Sequence, residues 1–172
     1  MNDKKFQTWE TIDDPSILWI KGSAGQGKTI LTKFLLDHLE SVTSDTSRQA
    51  TVIFFFFYDQ GDSLQTIGAA LRSLIKQLIL GSGDAFSIIS EQFDIGPSPM
   101  SEDGLWAVLE AILRAPILSK IYCVVDALDE CQDEESRDRL LEFLERLVHS
   151  ASRRKRSSPI LKVLFVAVQQ LT

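Results

Sequence analysis

The residues best suited to chemistry form one run, GSAGQGKT at 22–29, which fills the pattern G-x-x-x-x-G-K-[ST] at every position. Gly22, Gly25 and Gly27 allow a tight turn that aims backbone N–H groups at an anion. Lys28 is placed to reach the β- and γ-phosphates of a nucleotide, and the Thr29 hydroxyl to ligate Mg²⁺. Ser23, Ala24 and Gln26 complete the loop, so 22–29 as a whole is the candidate nucleotide site. A glycine-rich turn with no ligand is the competing explanation. Context weakens it, because an apolar strand pattern precedes the run and a helical stripe follows, adding its positive end to the same place.

A second chemical centre lies in IYCVVDALDEC at 121–131. Asp126 closes a buried strand, so its carboxylate faces the glycine loop across the carboxyl edge of the sheet, where open α/β sheets bind ligands. There it is expected to hold the hydrated shell of Mg²⁺. Asp129 and Glu130 follow within one turn, and either is placed to polarise an attacking water. The bland reading of these acids is a solvated loop or the cap of the next helix.

Both centres need a frame. Four short, nearly continuous apolar runs supply it: ILWI at 17–20, VIFFFFY at 52–58, IYCVV at 121–125 and ILKVLFVAV at 160–168. Such runs suit strands covered on both faces, as in a parallel sheet. Between them run helical stripes. Ile30, Leu31, Phe34, Leu35 and Leu39 make the first. Leu64, Ile67, Leu71, Leu74, Ile75 and Leu78 make the second, opened by Asp62 and Gln65 at capping-box spacing. A third helix is expected over 102–114, capped by Ser101 and closed by Pro116. The fourth is expected from about Glu134 to Val148, with Leu140, Leu141, Leu144 and Leu147 inward. GSG at 81–83 and GPSP at 96–99 read as loops. The expected fold is α/β: a three-layer core on a mostly parallel sheet of about four strands, over 16–172, with 1–15 as a lead-in.

Composition narrows the partners. A formal charge of −6 disfavours broad binding to nucleic acid or to an anionic membrane. The N-terminus carries no apolar run, and the longest later run is far too short to span a bilayer. Cys123 and Cys131 lack a CxxC spacing and read as reduced thiols of a cytoplasmic protein. His38 and His149 read as structural or surface residues. The basic run SRRKRSS at 152–158 reads as a solvated loop before a nuclear address or a patch for acidic partners. Phe54 to Phe57 read as sheet core, since no basic residues interleave with them.

Missing motifs exclude several nucleotide-binding classes. There is no [NT]KxD guanine-reading motif, no LSGGQ signature, and no arginine-rich stretch to serve as a phosphate lid. ATP is therefore favoured over GTP by elimination. Three segments, LWIKGSAGQGKT, LRSLIKQL at 71–78 and VVDALDE, together resemble the NACHT domains of STAND-class NTPases, in particular the nephrocystin-3-like N-terminal domains of fungal multidomain proteins. Phe6 and Trp9 in FQTWET look like the aromatic positions that precede the glycine loop in that group. The resemblance runs from about Phe6 to Val166.

It implies a conformational switch in which ATP or GTP binding drives self-association and hydrolysis resets it. Carried over, Gly22, Gly27, Lys28 and Thr29 are nucleotide ligands, Asp126 is the Mg²⁺ carboxylate, and Asp129 or Glu130 is the catalytic acid. The sequence also departs from the pattern. The strand VLFVAV is not followed by the hydroxyl and arginine that sense the γ-phosphate in that group. The fifth strand beside ILWI is missing as well, which leaves ILWI an expected open edge and the core an expected C-terminal truncation. These departures point to Mg²⁺-dependent binding with slow or absent hydrolysis. The rival is a nucleotide-independent fragment that interacts with proteins or with itself.

Overall fold

The computed structural model describes residues 4–44, 50–58, 66–93, 99–152 and 159–168. Its centre is an all-parallel sheet of strands β1 (Ser16–Gly22), β2 (Ala50–Phe56), β3 (Lys120–Asp126) and β4 (Ile160–Val168), in the order β1-β4-β3-β2. β3 and β4 are flanked on both sides, and their runs are buried almost throughout. Continuous apolar sequence is the signature of that position.

The pleat sorts side chains between two layers. Tyr122, Val124, Leu164 and Val166 point to one face, where helices α1 (Lys4–Thr11) and α2 (Lys28–Ser44) cover them with Phe6, Trp9, Leu35, Leu36 and Leu39. Ile121, Cys123, Val125, Val163 and Phe165 point to the other. That larger layer is built from α3 (Ile67–Gly81), α4 (Gly83–Gln92), α5 (Glu102–Arg114) and α6 (Glu134–Ser152). The fold is therefore three-layered, with α1 inside the core through Phe6 and Trp9.

Local signals explain most element ends. Ser101 caps α5 by accepting the Gly104 N–H at 3.2 Å, and Glu102 and Asp103 occupy its positive end. α3 begins at Ile67 with Thr66 as its cap, its hydroxyl accepting from Ala69. Asp62, Leu64 and Gln65 lie outside the described residues, as do the basic run after Ser152 and residues 96–98 of GPSP.

Two expectations are corrected. GSG at 81–83 is not a loop. Gly81 ends α3 and Gly83 begins α4, with extended Ser82 as the joint between them. A single residue turns the corner because the Ser82 N–H still bonds to Leu78 O. The stripe on α2 is also rotated from its expected position. Thr32, Leu35, Leu36 and Leu39 face the sheet, whereas Ile30 and Phe34 are 76% and 55% exposed. Ile30, in the first turn of α2, lies instead at the sheet's carboxyl edge, close to the ends of β3 and β4.

The two sheet edges differ. Along β2 the Gln77 side chain of α3 pairs with the backbone of Phe54, accepting from its N–H at 2.9 Å and donating to its carbonyl at 2.8 Å. A side-chain amide thus blunts that edge. β1 pairs with β4 alone among the described residues, as its expected edge position requires.

Candidate functional site

β1 ends at Gly22, β3 at Asp126 and β4 at Val168, so all three deliver their last residues to one edge of the sheet. A cleft of about 410 Å³ opens there. Ala24, Gly25, Gly27, Lys28 and Thr29 line it from the glycine loop, and Asp126, Asp129 and Glu130 from beyond β3. The two centres read from the sequence therefore share one cavity. Gly22, Ser23 and Gln26, also expected as ligands, are not in its lining.

The loop owes its shape to two left-handed glycines, Gly25 at φ 76° and Gly27 at φ 74°. A side chain at either would be strained there. The first bond of α2 runs from Leu31 N–H to Gly27 O. Among the described residues, no backbone acceptor meets the N–H groups from Gly25 to Ile30. Lys28 folds back along the loop and donates to Gly22 O at 3.0 Å and Ser23 O at 2.9 Å. The result is a row of donors without backbone acceptors beside an ammonium group, an arrangement suited to an anion.

Opposite it stands Asp126, 1% exposed. One carboxylate oxygen accepts from the Ala127 N–H at 2.9 Å. The other, Oδ2, is buried and has no hydrogen bond of regular geometry among the described residues, although the Thr29 and Thr32 hydroxyls lie near enough to stabilise the carboxylate. Burial pushes the acid above its ordinary range, while the Thr29 and Thr32 hydroxyls, the Ala127 N–H and the Lys28 charge pull it back. A buried orphan oxygen is costly unless something fills its coordination. A carboxylate and the Thr29 hydroxyl are hard oxygen donors, and Mg²⁺ binds through one or two carboxylates plus substrate phosphates. The residues fit that ion. Among the described residues no cluster of three or more His, Cys, Asp or Glu could hold a metal unaided.

The next turn is strained. Ala127 is the sole described non-glycine residue with positive φ, at 55°. Its N–H reaches both Val166 O at 2.9 Å and the Asp126 carboxylate. That kink drops the chain into a single 3₁₀ turn, Leu128–Glu130, which carries both acids to the cleft. Asp129 accepts from the last N–H of β4, at Val168, over 3.1 Å.

The sequence profile of the family described as Nephrocystin 3, N-terminal matches residues 1–167. This chain belongs to that family. It is 34% identical over 137 residues to the Vegetative incompatibility protein HET-E-1 of Podospora anserina. That alignment covers 76% of this chain, which spans about a tenth (10%) of the relative's length. Both findings put the chain among the nephrocystin-3-like N-terminal domains of fungal NACHT proteins.

In this nephrocystin 3 N-terminal domain several positions around the cleft and the core carry little signal in the sequence. Ile30 and Val168 line the cleft, but apolar residues at element ends carry no chemical signal. Ala127 lines it too. His38 is structural, as expected: its Nε2 lies 2.7 Å from Glu10, joining α2 to α1. Lys162 sits inside an apolar run yet is wholly buried, its Nζ donating to Ser16 Oγ at 2.9 Å. A lone charge within an otherwise apolar strand was the signal available for it. Cys123 and Cys131 are free and buried, and burial pushes the Cys123 thiol up to about 12. No described helix is long and apolar enough to cross a membrane.

Proposed function

We propose that this domain binds a purine nucleoside triphosphate, ATP or else GTP, together with Mg²⁺, as the switch element of a NACHT-type signalling protein in the cytoplasm. One observation carries the reading: the unpartnered, buried Oδ2 of Asp126 faces the free N–H row and Lys28 across a single cleft. A cradle of N–H groups and an ammonium on one wall, with a buried carboxylate on the other, suits a phosphate and a divalent cation bound between them.

In this reading the N–H groups from Gly25 to Thr29 hold the β-phosphate, and Lys28 bridges toward the γ-phosphate. The Thr29 hydroxyl and Asp126 hold the Mg²⁺ shell, and the ion when bound neutralises charge on the phosphate oxygens. Asp129 or Glu130 orients the water. Hydrolysis is slow, because Lys28 is the sole cation lining the cleft among the described residues. A further cation at that stage contributes orders of magnitude in rate.

The test is a nucleotide titration with and without Mg²⁺, followed by steady-state phosphate release with Lys28→Ala as the blank. Micromolar-range binding strengthened by Mg²⁺, with turnover below about one per second, is the expected result. A second reading, self-association without nucleotide, is favoured by the one-sided pairing of β1 and by exposed Phe34. Sedimentation that depends on protein concentration but not on nucleotide would select it.

A further inference from the structure

Gln26 sits in the glycine loop between two left-handed glycines, outside the lining of the cleft. Its side chain instead turns back across the loop, and Oε1 accepts from the Ser23 N–H at 2.9 Å. That N–H belongs to the same peptide plane as the Gly22 carbonyl. A trans peptide is rigid, so its N–H and C=O point in opposite directions and turn together. The Gly22 carbonyl is one of the two oxygens that hold the Lys28 ammonium, at 3.0 Å. Fixing the Ser23 N–H therefore fixes the oxygen that aims Lys28.

Space at Gly22 belongs to the same device. A Cβ placed there would stand 2.8 Å from Gln26 Oε1, closer than real contacts allow. Glycine at 22 thus makes the seat that the amide occupies. Gly25 and Gly27 would meet nothing with an added Cβ, so their role is backbone conformation and that of Gly22 is clearance.

We infer that Gln26 is a positioning residue, not a nucleotide ligand: through the Gly22–Ser23 peptide it holds Lys28 in place for phosphate. The inference rests on the nucleotide-binding reading for its purpose, while its mechanics concern the ligand-free loop. A loop preorganised in this way binds without first ordering its ammonium group. Loss of one such bond, at ordinary hydrogen-bond strength, corresponds to a change of about two- to tenfold.

Two measurements test it, with Gln26→Met as the variant matched in length and Gln26→Ala as its control. The first is amine acylation of the ligand-free protein, quantified by peptide mass spectrometry, with exposed Lys33 as internal reference. Lys28 is expected to react about two- to tenfold faster in both variants than in the parent. An unchanged Lys28 rate overturns the inference, whatever the nucleotide data show. The second is a double-mutant cycle on MgATP affinity. Gln26→Met is expected to weaken binding by about the same factor in the parent and to have no effect in a Lys28→Ala background. A penalty of equal size in both backgrounds makes Gln26 a direct ligand and overturns the inference. If the parent binds no nucleotide, the functional reading fails alone, and acylation still decides the role of Gln26.

Discussion

Two charged side chains are buried on the same face of the sheet, at opposite ends of its central strands. Asp126 closes β3 at the carboxyl edge, and Lys162 lies near the start of β4 at the amino edge. Both face the layer of α1 and α2, as the pleat requires. Their surroundings differ. Asp126 keeps an unpartnered oxygen and borders an open cleft. Lys162 is roofed by the segment after α1: its ammonium is held by Ser16, whose carbonyl accepts from Trp9 Nε1 at 3.3 Å. Beside it Lys120 pairs with Asp13 at 2.6 Å, and Tyr122 Oη donates to Glu10 O at 3.3 Å.

The contrast separates a site from a joint. At the amino edge the polar groups are spent on one another, and they fasten α1 to the sheet. At the carboxyl edge one carboxylate oxygen of Asp126 is left without a partner among the described residues, beside a cavity. A buried polar atom without a protein partner, beside a cleft, points to a ligand, whereas one satisfied within the protein here points to structure.

The largest expected effect comes from removing the ammonium at the open end. Lys28→Ala should weaken MgATP binding by about ten- to a hundredfold, the range for a lost charge-assisted bond. Its circular dichroism should match the parent, because Lys28 holds only loop carbonyls. Calorimetric titration checks the first half, and equal affinity would move the anion site elsewhere.

Asp126→Asn sharpens the comparison in two directions at once. Mg²⁺ should cease to strengthen nucleotide binding, since a neutral amide holds the hydrated ion poorly. Meanwhile the ligand-free domain should melt a few degrees higher near neutral pH, about 2–4 °C per kcal/mol recovered for a chain of this size. The sign follows from linkage. Burial raises the folded acid above its unfolded value, so its stability contribution is full below the unfolded pKa and fades as pH rises through the folded one. Above the unfolded pKa the buried acid is therefore a cost to the folded state, which the asparagine removes. A lower melting point for Asp126→Asn would show that the carboxylate is structural, like the groups at the other end.

Lys162→Met tests the joint. Burial lowers the Lys162 pKa to about 8, with Lys120 adding repulsion and Asp14 and Asp13 opposing it. At Lys162 the unfolded chain binds more protons than the folded one between about pH 8 and the ordinary lysine value near 10.4. This residue therefore adds stability as pH rises across that window, against the opposite slope of the buried Cys123 thiol. In Lys162→Met that contribution should disappear, so stability should change less favourably from pH 7.5 to 9.5 than in the parent, while MgATP affinity stays within twofold. Denaturant midpoints at pH 7.5 and 9.5 measure it. A changed affinity would show that the two ends of the sheet are coupled.

The smallest effect is expected at the strained corner. Ala127→Gly relieves a left-handed alanine but loosens the unfolded chain, and the two terms nearly cancel, to within about 1 kcal/mol. Chemical denaturation would detect a larger shift, and that would mean the αL turn is held by more than its own backbone preference.

How legible the molecule was depended on the range of the interaction. β4 and α5 matched their sequence signals to the residue, because an apolar run and a Ser cap act locally. The α2 stripe was misjudged at Ile30 and Phe34, since helical period shows which residues share a face but not the angle at which that face meets a sheet. The corner at Ser82 carries the sequence signal of a loop, because glycine marks a break without saying how short it is. Asp129 and Glu130 could not be ranked from the sequence, and the bond from Val168 to Asp129 joins residues far apart in the chain.

The sequence alone determined the α/β class, the glycine loop with its lysine and threonine, and the acid that ends a buried strand. Each is written in neighbouring residues: periodicity, backbone freedom and the order of polar and apolar types all act over a few positions. Tertiary structure decided which buried charge stays unpaired, which loop residues line the cleft and which brace it, and which edge of the sheet is sealed. These depend on partners brought together from distant strands and helices, as when Ser16 meets Lys162 and Gln77 meets Phe54. Whether a buried polar group finds a partner is settled only when the layers close, and that is where the site and the joint part company.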